Sequence, residues 1–129
     1  MEIGDTFLGE VLCSGQHLHV VLSNASSDGC VVLVMISTYD ESYKNGTCIL
    51  LPSDGHPFIK RSSYVAYELA VLYPVTRLEA LLNSGKIKVK ESFSSDIMER
   101  ILAGADKNSA RISNECWIEL DNQGLIPRY

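Results

Sequence analysis

The sequence predicts an α+β domain, mainly β, built on a small, strongly curved antiparallel sheet or barrel with helices after it. Three observations carry this prediction. Extended segments broken by turn formers fill residues 4–73, and segments with helical spacing follow Pro74. The run Gly29–Asp40, GCVVLVMISTYD, is apolar on both alternating faces and rich in β-branched residues, the pattern of a central strand buried on both sides. The links between extended segments are short and full of Gly, Asn, Ser and Asp, which reads as meander-like hairpins.

Taken in order, Gly4–Leu12 (GDTFLGEVL) is a first strand with Phe7 and Leu8 as core candidates, and Cys13–Gln16 is a turn. His17–Ser23 (HLHVVLS) is a second strand, with Leu18, Val20 and Leu22 on one face and His17, His19 and Val21 on the other. The turn formers Asn24–Gly29 join it to the central strand as a hairpin. Stepping outward from that loop sets His17 opposite a residue near Ile36, beside Ser37 and Thr38. Asn45-Gly46 is a hairpin signal, because a type I′ turn needs positive φ at both central positions. Pro52–Pro57 is another turn, and Phe58–Arg61 and Ser62–Tyr73 supply one or two more strands.

Thr76–Glu79 (TRLE) has the form of a capping box opening a short helix, with Leu78, Leu81 and Leu82 as its apolar stripe and Gly85 just past its end. Lys86–Phe93 (KIKVKESF) alternates Lys with Ile and Val, as a half-exposed edge strand does. Ser95-Asp96 opens a second helix, with Glu99 completing a box from Asp96 and Ile97, Met98, Ile101, Leu102 and Ala105 at helical spacing. The tail, with CWIEL, is expected to pack back as a short strand or turn.

The length of 129 residues fits a single domain over the whole chain, with one core. A net charge of −5 argues against a general nucleic-acid binder, which needs clustered Lys and Arg, but leaves room for a local basic patch. Cys13, Cys30, Cys48 and Cys116 show no CxxC spacing and read as reduced residues of an intracellular protein. The start, MEIGDTFLGE, lacks the basic and apolar regions of a signal peptide, and no apolar run reaches the ~18 residues of a membrane span. A cytoplasmic location is the expectation.

Motifs with known chemistry are scarce. His17 and His19 stand at i, i+2 on one strand face, a spacing found in metal sites, yet no carboxylate or cysteine falls where it would complete the set. No metal or other cofactor is expected; a partly exposed strand face is the better reading of the pair, with His19 a packed histidine. There is no GxSxG elbow, P-loop or dinucleotide fingerprint. What remains is a polar group, His17, Ser37, Thr38, His56, Lys60, Arg61 and Glu68, in which a histidine beside hydroxyls is competent for general acid–base work.

GDTFLGEVL, HLHVVLS and VVLVMIST, in that order, resemble the start of the PemK/MazF/Kid family of toxin endoribonucleases, with its "GDI-W/F", "RP-x-VVLS" and "V-x-P-(I/V)-T-S" strands. The resemblance covers roughly residues 3–75 and is one of pattern. It implies an SH3-like β-barrel with appended helices, a homodimer, and the toxin component of a type II toxin–antitoxin system. Such a toxin is neutralised by a cognate antitoxin protein and cleaves single-stranded RNA without metal, through a 2′,3′-cyclic phosphate.

The resemblance sets His17 at the family's catalytic arginine, Leu18 at the adjoining proline, and Ser37 or Thr38 at its threonine. The first-loop "EQ" shrinks to Gly15-Gln16, and the "V-R-C-D" strand falls on Val65-Ala66-Tyr67-Glu68, which keeps only the acid. Two guanidinium groups are thereby lost, and neutral imidazole does not replace their fixed charge on a phosphorane. The expectation is therefore catalysis by His17, Ser37 and Thr38, with His17 as acid or base and His56, Lys60, Arg61 and Glu68 binding substrate. The alternative is a non-catalytic RNA- or protein-binding module on the same barrel, or an adaptor that binds through the Val65–Val75 face.

Overall fold

The computed structural model describes residues 1–38 and 48–127. The strands are β1 (Thr6–Gly9), β2 (His17–Val21), β3 (Cys30–Thr38), β4 (Ile49–Leu50), β5 (Ser63–Pro74) and β6 (Lys88–Lys90). The helices are α1 (Val75–Asn83), α2 (Ser95–Lys107) and α3 (Asn114–Asn122), with a 3₁₀ turn at Pro52–Asp54. All six strands pair antiparallel in one sheet of order β4-β5-β3-β2-β1-β6. The fold is α+β, mainly β: a curved antiparallel sheet with helices packed on it.

β3 is the axis of this sheet. Val32, Val34 and Ile36 face the main core, where α2 and α3 deliver Ile97, Ile101, Cys116 and Leu120. Val31 and Leu33 face a second cluster with Phe7, Val21, Ile87 and Leu78 of α1. A strand covered on both faces needs apolar residues at every position, which is why Val31–Ile36 is apolar throughout. Both edges of β3 are also occupied, by β2 and by β5.

Among the described residues β4 pairs with β5 (Ile49↔Tyr64, Leu50↔Ser63). The longer β5 offers β3 eight paired positions and displaces the two-residue β4 to the outside. Asn45-Gly46 itself lies outside the described residues. Phe58–Arg61, expected as a strand, is irregular chain leading into β5.

β5 bends where its register with β3 slips: Leu33 pairs with Val71, but Met35 pairs with Ala66. The extra residues form a bulge, which coils the sheet locally. Tyr67 in that bulge turns into the core and donates a 2.6 Å hydrogen bond to the Ile101 carbonyl of α2. Gly104, one turn on, leaves room for it; a Cβ there would overlap the Tyr67 hydroxyl.

Two helix caps and the form of the CWIEL segment differ from the sequence reading. α1 starts at Val75 with Pro74 as N-cap and no side-chain cap, so Thr76–Glu79 is not a capping box. β5 runs straight into α1, and the Val75 N–H is taken by the Gly29 carbonyl at 2.9 Å, a long-range partner that replaces a local one. The C-terminus follows expectation: Gly85 (φ +75°) donates to the Leu82 carbonyl and Lys86 to that of Leu81, a Schellman closure.

α2 opens at Ser95 as expected, but its cap is Ser94, whose Oγ accepts from the Ile97 N–H, rather than a box from Asp96. The CWIEL segment is helical, not a strand or turn. Ser113 caps the Cys116 N–H, and Cys116 and Leu120, four apart, bury one face of α3 in the main core. All four cysteines are free thiols. Among the described residues, no helix is long and apolar enough to cross a membrane.

Candidate functional site

The β2–β3 ladder builds the first wall of the site. Leu18 pairs with Ile36, so one step outward puts His17 beside Ser37 at the end of the sheet where both strands emerge. β5 adds the next wall, pairing Tyr64 with Ser37 and Ser63 with Thr38. A cleft of about 110 Å³ results, lined by His17, Ser37, Thr38, Gln16, Phe58 and Ser63 among others. His17 and Ser37 are half-buried and Thr38 is exposed. The left-handed turn at Gly15 (φ +87°) brings the preceding loop over the imidazole, where a Cβ would stand 3.5 Å from Nε2. Among the described residues, no hydrogen bond joins the His17 ring to Ser37 or Thr38.

His19, two residues along β2, has a different fate. Its ring is fully buried and stacks on Phe7, with centroids 4.9 Å apart and planes 4° from parallel. The Leu12 N–H donates to Nε2 (3.4 Å), so Nδ1 carries the proton and donates to the His17 carbonyl (2.9 Å). Burial disfavours the imidazolium and, with a smaller push from His17, lowers the pKa to about 4; the bond to the His17 carbonyl offsets only part of this. His19 is therefore a neutral core residue. Among the described residues, no group of three His, Cys, Asp or Glu side chains is placed to hold a metal ion.

The remaining predicted residues divide. His56 is buried, and both its nitrogens are engaged: Nδ1 accepts from the Phe58 N–H (3.1 Å) and Nε2 donates to the Glu91 carbonyl (2.6 Å). Thr6 Oγ1 donates to the same carbonyl at 2.7 Å, and the His56 ring leans on Phe93. His56 thus ties the segment after β4 to the segment after β6, the two edges of the curved sheet. Beside the site it holds the Phe58 backbone in place, its own polar atoms being already committed.

Lys60 is exposed and lines a second groove beside the first cleft, together with Phe58, Val89 and Lys90. Arg61 is exposed and lines neither. Glu68 stands exposed in the β5 bulge, also outside both clefts. The structure therefore brings together His17, Ser37 and Thr38, with Lys60 nearby, and sets Arg61 and Glu68 apart.

Phe58 and Lys90 were not singled out from the sequence. Phe58 is 40 % exposed and forms part of both clefts, and the Lys90 ammonium lies 5.7 Å from its ring centroid. The signal that could have found Phe58 was its position between the Pro52–Pro57 turn and the Lys60-Arg61 pair, an aromatic beside positive charge. Chemically, the cleft offers an imidazole as acid or base, hydroxyl hydrogen-bond donors, and lysine charge at its border. Comparison of the chain with protein-family models, with curated proteins and with solved structures found no match.

Proposed function

We propose that this protein is a metal-independent endoribonuclease of the PemK/MazF type, acting on single-stranded RNA as the toxin of a type II toxin–antitoxin pair. The observation that carries the reading is the meeting of His17 with Ser37 and Thr38 in one cleft at the end of the β2–β3 hairpin. These three residues come from the very strands whose order resembles that family. A cognate antitoxin and a homodimeric toxin belong to the same proposal.

The reaction needs no metal. His17 takes the proton of a ribose 2′-hydroxyl as its oxygen attacks the adjacent phosphorus, and the bond from phosphorus to the 5′-oxygen breaks. The departing oxygen takes a proton from His17 or from water, leaving a 2′,3′-cyclic phosphate and a 5′-hydroxyl. Ser37 and Thr38 donate hydrogen bonds to the non-bridging oxygens, and Lys60 offsets their charge. Purified protein incubated with single-stranded RNA in EDTA is expected to yield 5′-hydroxyl products and cyclic-phosphate ends. RNA left intact, together with normal growth of cells overproducing the protein without antitoxin, would overturn the proposal.

A second reading rests on a specific feature of the cleft: among the described residues, no arginine and no acid–base side chain besides His17 lines it. A barrel-like binding module that grips RNA or protein without cutting it needs neither. Binding of RNA without cleavage, unchanged by His17→Ala with Thr38→Ala, is the result that favours this alternative.

A further inference from the structure

The His17 cleft, at about 110 Å³, is too small for a nucleotide; pockets that enclose whole small ligands run to about 300–1,000 Å³. The groove next to it is of that size, about 520 Å³, and the two share Phe58 as a common wall. Its lining is unlike the surface of an acidic protein. Phe58 is exposed at 40 % and Val89 at 53 %, and Lys60 and Lys90 flank them. The Lys90 ammonium lies 5.7 Å from the Phe58 ring centroid, so aromatic face and positive charge are presented together. The ring's backbone is not free to move away, because the Phe58 N–H is bound by buried His56.

Exposed aromatic and lysine side by side are the two parts of a single-strand nucleic-acid groove: the ring stacks a base of any sequence and the ammonium groups hold phosphates. Resting on the ribonuclease reading above, we infer that Phe58, Lys60 and Lys90 form a nucleotide subsite next to the cleavage cleft. A base stacks on Phe58, its phosphates lie on the Lys60–Lys90 side, and the next phosphate enters the His17–Ser37–Thr38 cleft. Glu91, at the groove border, repels phosphate and so keeps the strand on the lysine side. Strand addition of a peptide to the β6 edge is disfavoured by Lys88 and Lys90 on a three-residue strand.

The test uses a fluorescein-labelled single-stranded ten-mer of 2′-O-methyl RNA, which cannot be cut by attack of a 2′-hydroxyl, read by anisotropy. Phe58→Ala is expected to weaken binding about 5- to 150-fold, the range of one lost base stack, and Phe58→Trp to restore it. Lys60→Gln and Lys90→Gln should each lower the slope of log affinity against log salt by about 0.7. Glu91→Gln should tighten binding. Thermal melts of each variant exclude unfolding as the cause. Affinity unchanged in Phe58→Ala and both lysine variants, or no binding by the native protein, overturns the subsite.

Cleavage of the matching all-ribose ten-mer is scored separately. Cutting without any dependence of binding on Phe58 removes the subsite and leaves the nuclease. Phe58-dependent binding without cutting keeps the groove and removes the nuclease. Capture of an unstructured peptide at the same Phe58, with no RNA affinity, overturns both.

Discussion

Acidification should unlock the core at His19. In the native protein the ring is held neutral, with a pKa lowered to about 4, whereas an unfolded histidine titrates near 6.5. Between these values the unfolded chain binds a proton that the folded chain refuses, so stability rises with pH through the window and falls as pH drops through it. The full shift corresponds to about 3 kcal/mol, most of it lost between pH 7.5 and 4.5 and the rest as the folded form itself titrates near 4. Geometry supports the sign. Protonating Nε2 removes the acceptor of the Leu12 N–H and places a charge against Phe7.

Urea unfolding of the native protein and of His19→Phe, followed from pH 7.5 to 4, isolates this group, since carboxylates and other histidines titrate in both. The native protein should be steeper by about 3 kcal/mol over that range. Parallel profiles, or an NMR titration of the His19 ring with its midpoint at 6 or above, would refute the reasoning.

Other outcomes follow from the same contacts. Gly104→Ala pushes a methyl into the Tyr67 hydroxyl and should destabilise by about 2 kcal/mol or more, with the double variant Gly104→Ala, Tyr67→Phe losing less than the sum of the singles in denaturant titrations. Ser94→Ala should cost about 1 kcal/mol and Ser95→Ala much less, because only Ser94 accepts from the Ile97 amide. In the RNA cleavage assay His17→Gln should lower the rate about 100-fold or more with an unchanged melting temperature, while Glu68→Gln, outside the cleft, should leave it unaltered.

How far these sites can be read from the sequence depends on the range of the contacts behind them. Phe7, Leu18, Val20 and Leu22 of the first two strands, both faces of β3, and the buried stripe Ile97–Ala105 of α2 follow from alternation and helical spacing, which are properties of a few neighbouring residues. So does the placing of His17 beside Ser37, because the short 24–29 loop leaves the hairpin one register. The α3 helix was legible too, in Ser113 and the Cys116–Leu120 spacing, but the aromatic and β-branched CWI hid it.

The sequence by itself therefore determined the curved α+β class, the central strand, and the corner where His17 meets two hydroxyls. The tertiary structure decided the rest: that β5 and not β4 lies beside β3, that His19 is a neutral core residue, that His56 is a buried tie, and that Phe58 and Lys90 face one groove. Each of these depends on partners far apart in the chain, such as Thr6 with Glu91, 85 positions on, or His56 with the same carbonyl, 35 positions on. Local periodicity carries no information about which distant strand wins an edge or which polar atom meets a ring nitrogen. Those choices are made only when the sheet curls and its two edges come within hydrogen-bonding distance through His56.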